Sequence, residues 1–123
     1  MTEKANILIV EDNEVLAEFI SDELLDNGYD TEIVSTGNQA VKKMKTDIFD
    51  VAILDIKLPD IKGTEVLVKL KEINPNVVCI MITGSATIET TIDALRGGAE
   101  DFIIKPLDLT RLIDIVNKAV KKL

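Results

Sequence analysis

Short, mainly apolar runs recur along the chain, and each stops at a polar residue. The runs are residues 6–10, 51–54, 77–82 and 101–104. Apolar runs of this length, bounded by turn residues, are typical of strands that are buried on both faces of a parallel sheet. Residues 30–35 are more polar and alternate, which predicts a further strand at the edge of that sheet.

Helical spacing of apolar residues predicts a helix after each strand. The first helix is expected to begin at Asp12 or Asn13 and to end at Asn27 and Gly28. In this helix, the residues expected to face the protein core are Val15, Phe19, Ile20 and Leu24.

The other helices carry similar start and stop signals. Thr36 and Gly37 open the second, and Thr64 is the expected cap of the third. Ile88, Ile92 and Leu95 mark the fourth, Gly97 and Gly98 end it, and Asp108 caps the fifth. The apolar side of the fifth helix is expected to comprise Leu112, Ile115, Val116, Ala119 and Leu123.

Strand and helix therefore alternate five times, with no linker or repeat between them. A continuous alternation of this size predicts a doubly wound α/β domain, (βα)5, with helices on both faces of a parallel sheet. We expect residues 1–123 to form one domain.

The composition of the chain argues against several classes of function. The net charge of −8 argues against a nucleic-acid surface on this domain, and the absence of histidine excludes imidazole bases and histidine-ligated zinc. No apolar run reaches the roughly 20 residues of a membrane span, and no signal peptide is recognisable, so the expected location is cytoplasmic. Cys79, within an apolar strand, is expected to be a buried small hydrophobe.

Polar side chains with complementary chemistry follow the strands. They are Glu11 and Asp12, Asp55, Thr83 and Lys105. Because the carboxyl ends of parallel strands share one edge, where open α/β sheets bind ligands, we expect them to converge. Clustered carboxylates suit Mg²⁺, whereas a hydroxyl and a lysine suit phosphate oxygens. An aspartate in such a site can accept a phosphoryl group.

Each of these signals also has an ordinary structural interpretation. Glu11 and Asp12 could simply cap a helix, and Asp55 could be a turn residue. Thr83 could belong to a turn, and Lys105 could be a solvated lysine before a helix. Their joint occurrence at the ends of four strands favours the phosphoryl-accepting site.

Four short motifs surround these strand ends: IVEDN at 9–13, LDIKLPD at 54–60 with Gly63, ITG at 82–84 and GAEDFIIKP at 98–106. Through these motifs the chain resembles, over essentially its whole length, the receiver domain of two-component response regulators. This resemblance implies a flavodoxin-like three-layer sandwich, like that of the chemotaxis regulators, with strand order 2-1-3-4-5.

The resemblance also implies roles for individual residues. Asp55 would be the phosphoacceptor, and Glu11, Asp12, Asp55 and the backbone carbonyl of Lys57 would bind Mg²⁺. Lys105 would contact the phosphate, and the Lys105–Pro106 peptide would be cis.

Further positions are implied to act in signalling. Thr83 would move toward the phosphate and Phe102 would rotate inward behind it, whereas Lys57 and Ser85 would tune the rate of dephosphorylation. Phe102 stands where many members of the family have tyrosine, so the hydrogen bond of that hydroxyl is lost. Alternatively, Phe102 simply fills the core.

The implied partners are a sensor histidine kinase or a phosphotransfer protein, and an effector or attached output domain. The chain would be a regulator, with only self-catalysed phosphorylation and dephosphorylation, rather than an enzyme. The surface of helix 4, strand 5 and helix 5 would change on phosphorylation. Homodimerisation through this surface stays open, as does the existence of a longer parent protein, such as an AAA+ activator or a hybrid kinase.

Two other functions compete with this interpretation. A Mg²⁺-dependent aspartyl-phosphate hydrolase normally has a second aspartate two residues after its nucleophile, where this chain has Lys57. A flavodoxin-like binding module should cradle phosphate in its first loop, and Glu11 and Asp12 would repel it there.

Overall fold

Five strands and five helices alternate along the computed structural model, which describes residues 4–121. The strands are β1 (Asn6–Val10), β2 (Asp30–Val34), β3 (Val51–Asp55), β4 (Val78–Thr83) and β5 (Asp101–Ile104). The helices are α1 (Glu14–Asp26), α2 (Gly37–Thr46), α3 (Gly63–Ile73), α4 (Ile88–Arg96) and α5 (Leu109–Lys121). All strand pairs are parallel, in the order β2-β1-β3-β4-β5, which confirms the predicted fold.

The sheet separates two apolar cores, because successive residues of a strand point to opposite faces. On one face, Ile7, Ile53 and Ile80 pack with residues of α1 and α5. On the other, Leu8, Leu54 and Met81 pack with residues of α2, α3 and α4. Every residue of β3 is buried, so this central strand is enclosed by helices on both sides.

Short polar side chains define most helix starts as predicted. Asn13 accepts a hydrogen bond from the Leu16 amide, and Asp108 accepts one from the Arg111 amide. The prediction that Thr64 caps α3 is wrong. The helix begins at Gly63, two residues earlier than a Thr64 cap would place it, with Lys62 at the cap position and no side-chain cap. Thr64 therefore lies within the first turn.

The predicted core side of α1 is partly wrong. Ile20 and Leu24 are buried, but Val15 is 65% exposed and Phe19 is 60% exposed. Ala17 and Ser21 occupy the buried face instead, since small side chains allow the helix to approach the sheet. A stripe of apolar residues at helical spacing does not show which of its edges meets the sheet.

Helix α4 forms where it was predicted, yet the apolar residues that marked it face outward. Ile88, Ile92 and Leu95 are all exposed, and Ala94 is the one buried residue of this helix. The described part of the chain therefore carries an apolar strip on α4, and Ile104 of β5 is exposed as well.

The predicted burial of Cys79 is confirmed, and some strand bounds differ from the prediction by one residue. Cys79 is fully buried, and burial raises the pKa of its thiol to about 12, so it stays protonated. β2 ends at Val34 and β4 starts at Val78, each one residue inside its predicted bound. Leu123 lies outside the described residues. Among residues 4–121, no helix combines the length and apolarity that crossing a membrane requires.

Candidate functional site

The register of β1 against β3 brings the acidic residues together. Val10 pairs with Leu54, so Glu11, which follows β1, and Asp55, the last residue of β3, emerge side by side. Glu11, Asp12 and Asp55 each offer a carboxylate oxygen, and these oxygens lie within 4.8 Å of one another. Glu11 and Asp55 are buried, whereas Asp12 is exposed at the rim. Three clustered carboxylates repel one another unless a cation joins them.

Lys105 supplies such a cation. Its Nζ lies 2.8 Å from Oε1 of Glu11 and 3.0 Å from Oδ2 of Asp55. Burial by itself lowers the pKa of Lys105, but the hydrogen bonds to Glu11 and Asp55 outweigh it and raise the pKa overall. The ammonium is therefore charged and bridges the ends of β1 and β3 from the end of β5.

The surroundings of the Glu11 carboxyl raise its pKa. Burial is the main cause, with a further contribution from Asp55, and raises the pKa of Glu11 to about 7 despite the hydrogen bonds from Lys105 and Asn13. The second carboxylate oxygen, Oε2, accepts the Asn13 amide at 3.1 Å. Glu11 thus both binds Lys105 and orders the first residues of the loop that leads into α1.

Asp55 is 4% exposed at the carboxyl end of the central strand. Its Oδ1 accepts the Lys57 amide at 3.1 Å, and its Oδ2 accepts Lys105. Together these bonds fix the orientation of the carboxylate. A depression of about 490 Å³ opens beside it to solvent, lined by Glu11, Asp12, Asn13, Asp55, Lys57, Gly84, Ser85 and Lys105.

Thr83 ends β4, the strand next to β3, and its side chain is buried. Its hydroxyl accepts the Ser85 amide at 3.1 Å and donates to the Ser85 carbonyl oxygen at 3.3 Å. The hydroxyl is therefore engaged by the loop before α4. The side chains of Ser85 and Lys57 are exposed at the edge of the depression.

Phe102 and Lys105 belong to the last strand and the loop after it. Phe102 is half-buried and packs against the core shared by α2, α3 and α4. The Lys105–Pro106 peptide is cis. The Lys105 amide donates to the Thr83 carbonyl oxygen at 2.6 Å, which links this loop to the end of β4.

The residues at this edge suit a hard divalent cation. Three carboxylates offer oxygen ligands, one of them on an exposed side chain, and the depression leaves room for water or a phosphate. Mg²⁺ is usually bound through one or two carboxylates together with water and phosphate oxygens. Glu11, Asp12 and Asp55 would hold it.

Sequence patterns placed the acidic residues, Thr83 and Lys105 at this edge but did not reveal the backbone donors. The amides of Asn13 and Lys57 each bond one of the carboxylates. Such donors leave no compositional signal, because any residue except proline carries an amide. The position of each follows only from the path of its loop.

Comparison with known proteins agrees with the fold. The family model described as the response regulator receiver domain matches residues 7–117. Regulatory protein LuxO of Vibrio vulnificus is 39% identical over 114 residues, which cover 93% of this chain and 25% of LuxO. Transcriptional regulatory protein ZraR of Salmonella typhimurium is 30% identical, over 95% of this chain and 26% of ZraR. The chain thus spans about a quarter of the length of these curated relatives.

A solved structure shows the same architecture. The CheY-like response regulator receiver domain protein of Methanospirillum hungatei superimposes with a TM-score of 0.95 at 32% identity, over 98% of this chain and 96% of that one. The family match covers most of the chain, and the acidic cluster lies where the resemblance placed it. The chain belongs to the receiver domain family of the two-component response regulators.

Proposed function

We propose that this domain is a phosphorylation-controlled switch whose phosphoacceptor is Asp55. The phosphoryl donor would be a phosphohistidine on a sensor histidine kinase or on a phosphotransfer protein. One observation carries the proposal: Asp55 is a buried carboxylate held 3.0 Å from the Lys105 ammonium, with oxygens of Glu11 and Asp12 within 4.8 Å. An aspartate that served only as a solvated turn residue would not require a lysine and two further carboxylates beside it.

In the proposed reaction, a carboxylate oxygen of Asp55 attacks the phosphorus atom of the donor. A new O–P bond forms, the N–P bond to the donor imidazole breaks, and the imidazole nitrogen takes the bonding electron pair. The Lys57 amide and the Lys105 ammonium hold the carboxylate in place. After transfer, Lys105 can neutralise the negative charge on the phosphoryl oxygens.

The site would also require a divalent cation. Glu11, Asp12, Asp55 and the Lys57 carbonyl are the proposed ligands, and Mg²⁺ bound there would neutralise charge on the transferred group. Because Glu11 and Asp55 share Lys105, we expect the ammonium to shift its bonds from these carboxylates toward the phosphate once Asp55 is phosphorylated.

We infer that phosphorylation and dephosphorylation are catalysed by the domain itself. Water reaching the phosphoaspartate through the open depression would regenerate the carboxylate and release inorganic phosphate. Lys57 and Ser85 flank this opening, so their side chains would control the access and orientation of water. They are our candidates for setting the lifetime of the phosphorylated state.

The proposed output of the switch is a change in the surface of α4, β5 and α5. Phosphate oxygens would draw the Thr83 hydroxyl away from Ser85, and Phe102 would move inward into the space behind it. The exposed residues Ile88, Ile92 and Leu95 give this surface its apolar character. It would bind an effector, an attached output domain or a second copy of the chain.

We expect the domain to act in the cytoplasm and to leave nucleic-acid contact to another domain, if its output is transcriptional. The net charge of −8 supports the second expectation, since phosphate backbones attract clustered lysine and arginine. LuxO and ZraR, which are named as regulatory proteins, are about four times longer than the matched segment.

Intact-mass spectrometry tests the phosphoacceptor. The protein is incubated with acetyl phosphate, with Mg²⁺ or with EDTA, beside an Asp55→Ala variant and an Asp12→Ala variant. We expect one phosphoryl adduct that requires Mg²⁺ and is absent from Asp55→Ala. Asp12→Ala should reduce the adduct by weakening metal binding while retaining the acceptor.

Two results would contradict the proposal. An adduct of equal yield in Asp55→Ala would place the phosphoryl group elsewhere. No adduct in the wild-type protein, despite measurable Mg²⁺ binding, would indicate a receiver fold that signals without phosphorylation.

A further inference from the structure

The loop that follows the phosphoacceptor strand, residues 56–62, is tied at its tip to a different helix. Asp60 Oδ1 accepts the Gly37 amide at 2.9 Å, and Asp60 Oδ2 accepts the Asn38 amide at 2.8 Å. Both donors lie in the first turn of α2, more than 20 residues earlier in the chain. The carboxylate therefore bridges two segments that the sequence separates.

These bonds are not the ordinary cap of α2, because that helix already has one. The hydroxyl of Thr36 accepts the Gln39 amide at 3.1 Å. Asp60 binds amides that this cap leaves free, and its negative charge lies at the positive end of the helix dipole. The Asn38 amide, with that of Gly37, holds the pKa of Asp60 below its usual value.

An apolar contact reinforces the same junction. Gly37 is buried, and a Cβ placed on it would lie 2.5 Å from Cγ1 of Ile61 and 2.6 Å from Cγ2 of Val66. The side chain of Ile61 therefore packs directly on the backbone of the first α2 residue. Polar and apolar contacts together define where the loop tip lies.

The base of the loop is closed as tightly as its tip. The Gly63 amide donates to the Ile56 carbonyl oxygen at 2.7 Å, and the Lys57 amide donates to Asp55 Oδ1 at 3.1 Å. Lys57 lies between this closed base and the tip held by Asp60. A loop fixed at both places allows its backbone little independent movement.

We propose that Asp60 is a positioning residue for the metal and phosphoryl site. By tying the loop to α2, it holds the Lys57 backbone beside Asp55, where the Lys57 amide bonds the carboxylate and the Lys57 carbonyl is a proposed metal ligand. Asp60 touches neither the metal ligands nor the phosphoryl group, so it acts only through the loop. This inference rests on the proposed function of the site.

The test compares Mg²⁺ affinity in Asp60→Ala and Thr36→Ala, measured by following backbone amide signals during a Mg²⁺ titration. Both changes weaken the start of α2, but only the first releases the loop. We expect Asp60→Ala to raise the Mg²⁺ dissociation constant roughly tenfold, as is typical when a group that orients a ligand is lost. Thr36→Ala should leave it within about twofold of wild type.

Two further variants separate position from charge. Asp60→Asn keeps one acceptor oxygen and should fall between wild type and Asp60→Ala. Asp22→Ala removes the same charge from an exposed site on α1 and should match wild type. In Asp60→Ala, the Lys57 amide should also exchange with solvent faster, which a role confined to stabilising α2 would not produce.

Equal Mg²⁺ affinity in Asp60→Ala and Thr36→Ala would overturn the inference while leaving the phosphoacceptor role of Asp55 intact. Failure of the proposed function has a different signature: the wild-type protein would bind Mg²⁺ yet form no adduct at Asp55. A wild type that binds no Mg²⁺ at all would overturn both.

Discussion

Gly63 lies directly against the backbone of Asp55. A Cβ built on Gly63 would be 2.1 Å from the Asp55 carbonyl oxygen, closer than any real contact. Gly63 does not have a positive φ, so the requirement for glycine is the lack of a side chain and not backbone conformation. The first residue of α3 thereby fits against the end of the phosphoacceptor strand.

Gly63→Ala is expected to displace the end of β3 or the start of α3. Because the clash is with backbone atoms that cannot rotate away, we expect a loss of roughly 2–3 kcal/mol in the free energy of unfolding. Urea denaturation measures the loss. Gly84→Ala is the matched control, since a Cβ there would lie 3.9 Å from Cδ of Lys105. Equal stability of both variants would contradict the expected clash.

The buried Glu11 carboxyl predicts a pH dependence of stability in the metal-free protein. Its pKa is about 7 in the folded state against the ordinary value of 4.5 in the unfolded state, so between these pH values the folded state binds more protons than the unfolded state. The contribution of Glu11 to the free energy of unfolding is fully present below about pH 4.5. It is lost as the pH rises toward 7, by up to roughly 3 kcal/mol.

Glu11→Gln should remove this contribution, because the neutral amide does not titrate. Urea denaturation in EDTA, between pH 4.5 and pH 8, should show wild type losing stability relative to Glu11→Gln as the pH rises. Glu18→Gln, at an exposed position on α1, is the control and should follow wild type. If the Glu11→Gln and wild-type curves stay parallel, burial does not govern the titration of Glu11.

Lys105→Met is expected to destabilise the metal-free protein at pH 8. Glu11 and Asp55 lose the ammonium they share. We expect the free energy of unfolding to fall by about 2 kcal/mol, which is less than for a fully buried pair because Lys105 is partly exposed.

Mg²⁺ should stabilise the Lys105→Met variant more than wild type, since no ammonium competes for the carboxylates. Thermal melts with and without Mg²⁺ measure this, with Lys69→Met as the exposed control. A smaller Mg²⁺ effect in Lys105→Met would count against competition.

Thr83→Ala is expected to separate phosphorylation from its structural consequence. The variant should still accept a phosphoryl group on Asp55, because Thr83 bonds Ser85 and not Asp55. Amide chemical shifts of α4 and β5 should no longer change on phosphorylation. Thr83→Ser keeps the hydroxyl and should respond. Full shift changes in Thr83→Ala would refute the relay.

The exposed apolar strip on α4 predicts variants that fold normally and signal poorly. Ile88→Glu and Leu95→Glu replace residues that are 83% and 62% exposed, so stability should change by less than about 0.5 kcal/mol. For contrast, Leu112→Ala in the core should lower the free energy of unfolding by about 2–5 kcal/mol. Sedimentation after acetyl phosphate treatment tests whether the partner is a second copy: self-association of the phosphorylated wild type through this face should be lost in the α4 variants. Phosphorylated wild type that stays monomeric would contradict dimerisation through this face.

Local patterns in the sequence predicted the elements well, for identifiable physical reasons. Apolar runs such as residues 51–54 report burial on both faces, and side-chain caps such as Asn13 and Asp108 act within a few residues. Thr64 was misassigned as a cap because the chain enters α3 early, where Gly63 packs on Asp55. That contact joins two segments, and no local pattern reports it.

What the sequence determined by itself was the alternation of strands and helices and the placement of Glu11, Asp12, Asp55, Thr83 and Lys105 at strand ends. The tertiary structure decided which residues of α1 and α4 are buried, because a helical stripe specifies an apolar face but not the surface it meets. It also decided the 3.0 Å contact between Lys105 and Asp55 and the bonds from Asp60 to α2. Those distances depend on strand order and loop path, which arise from packing of the whole chain.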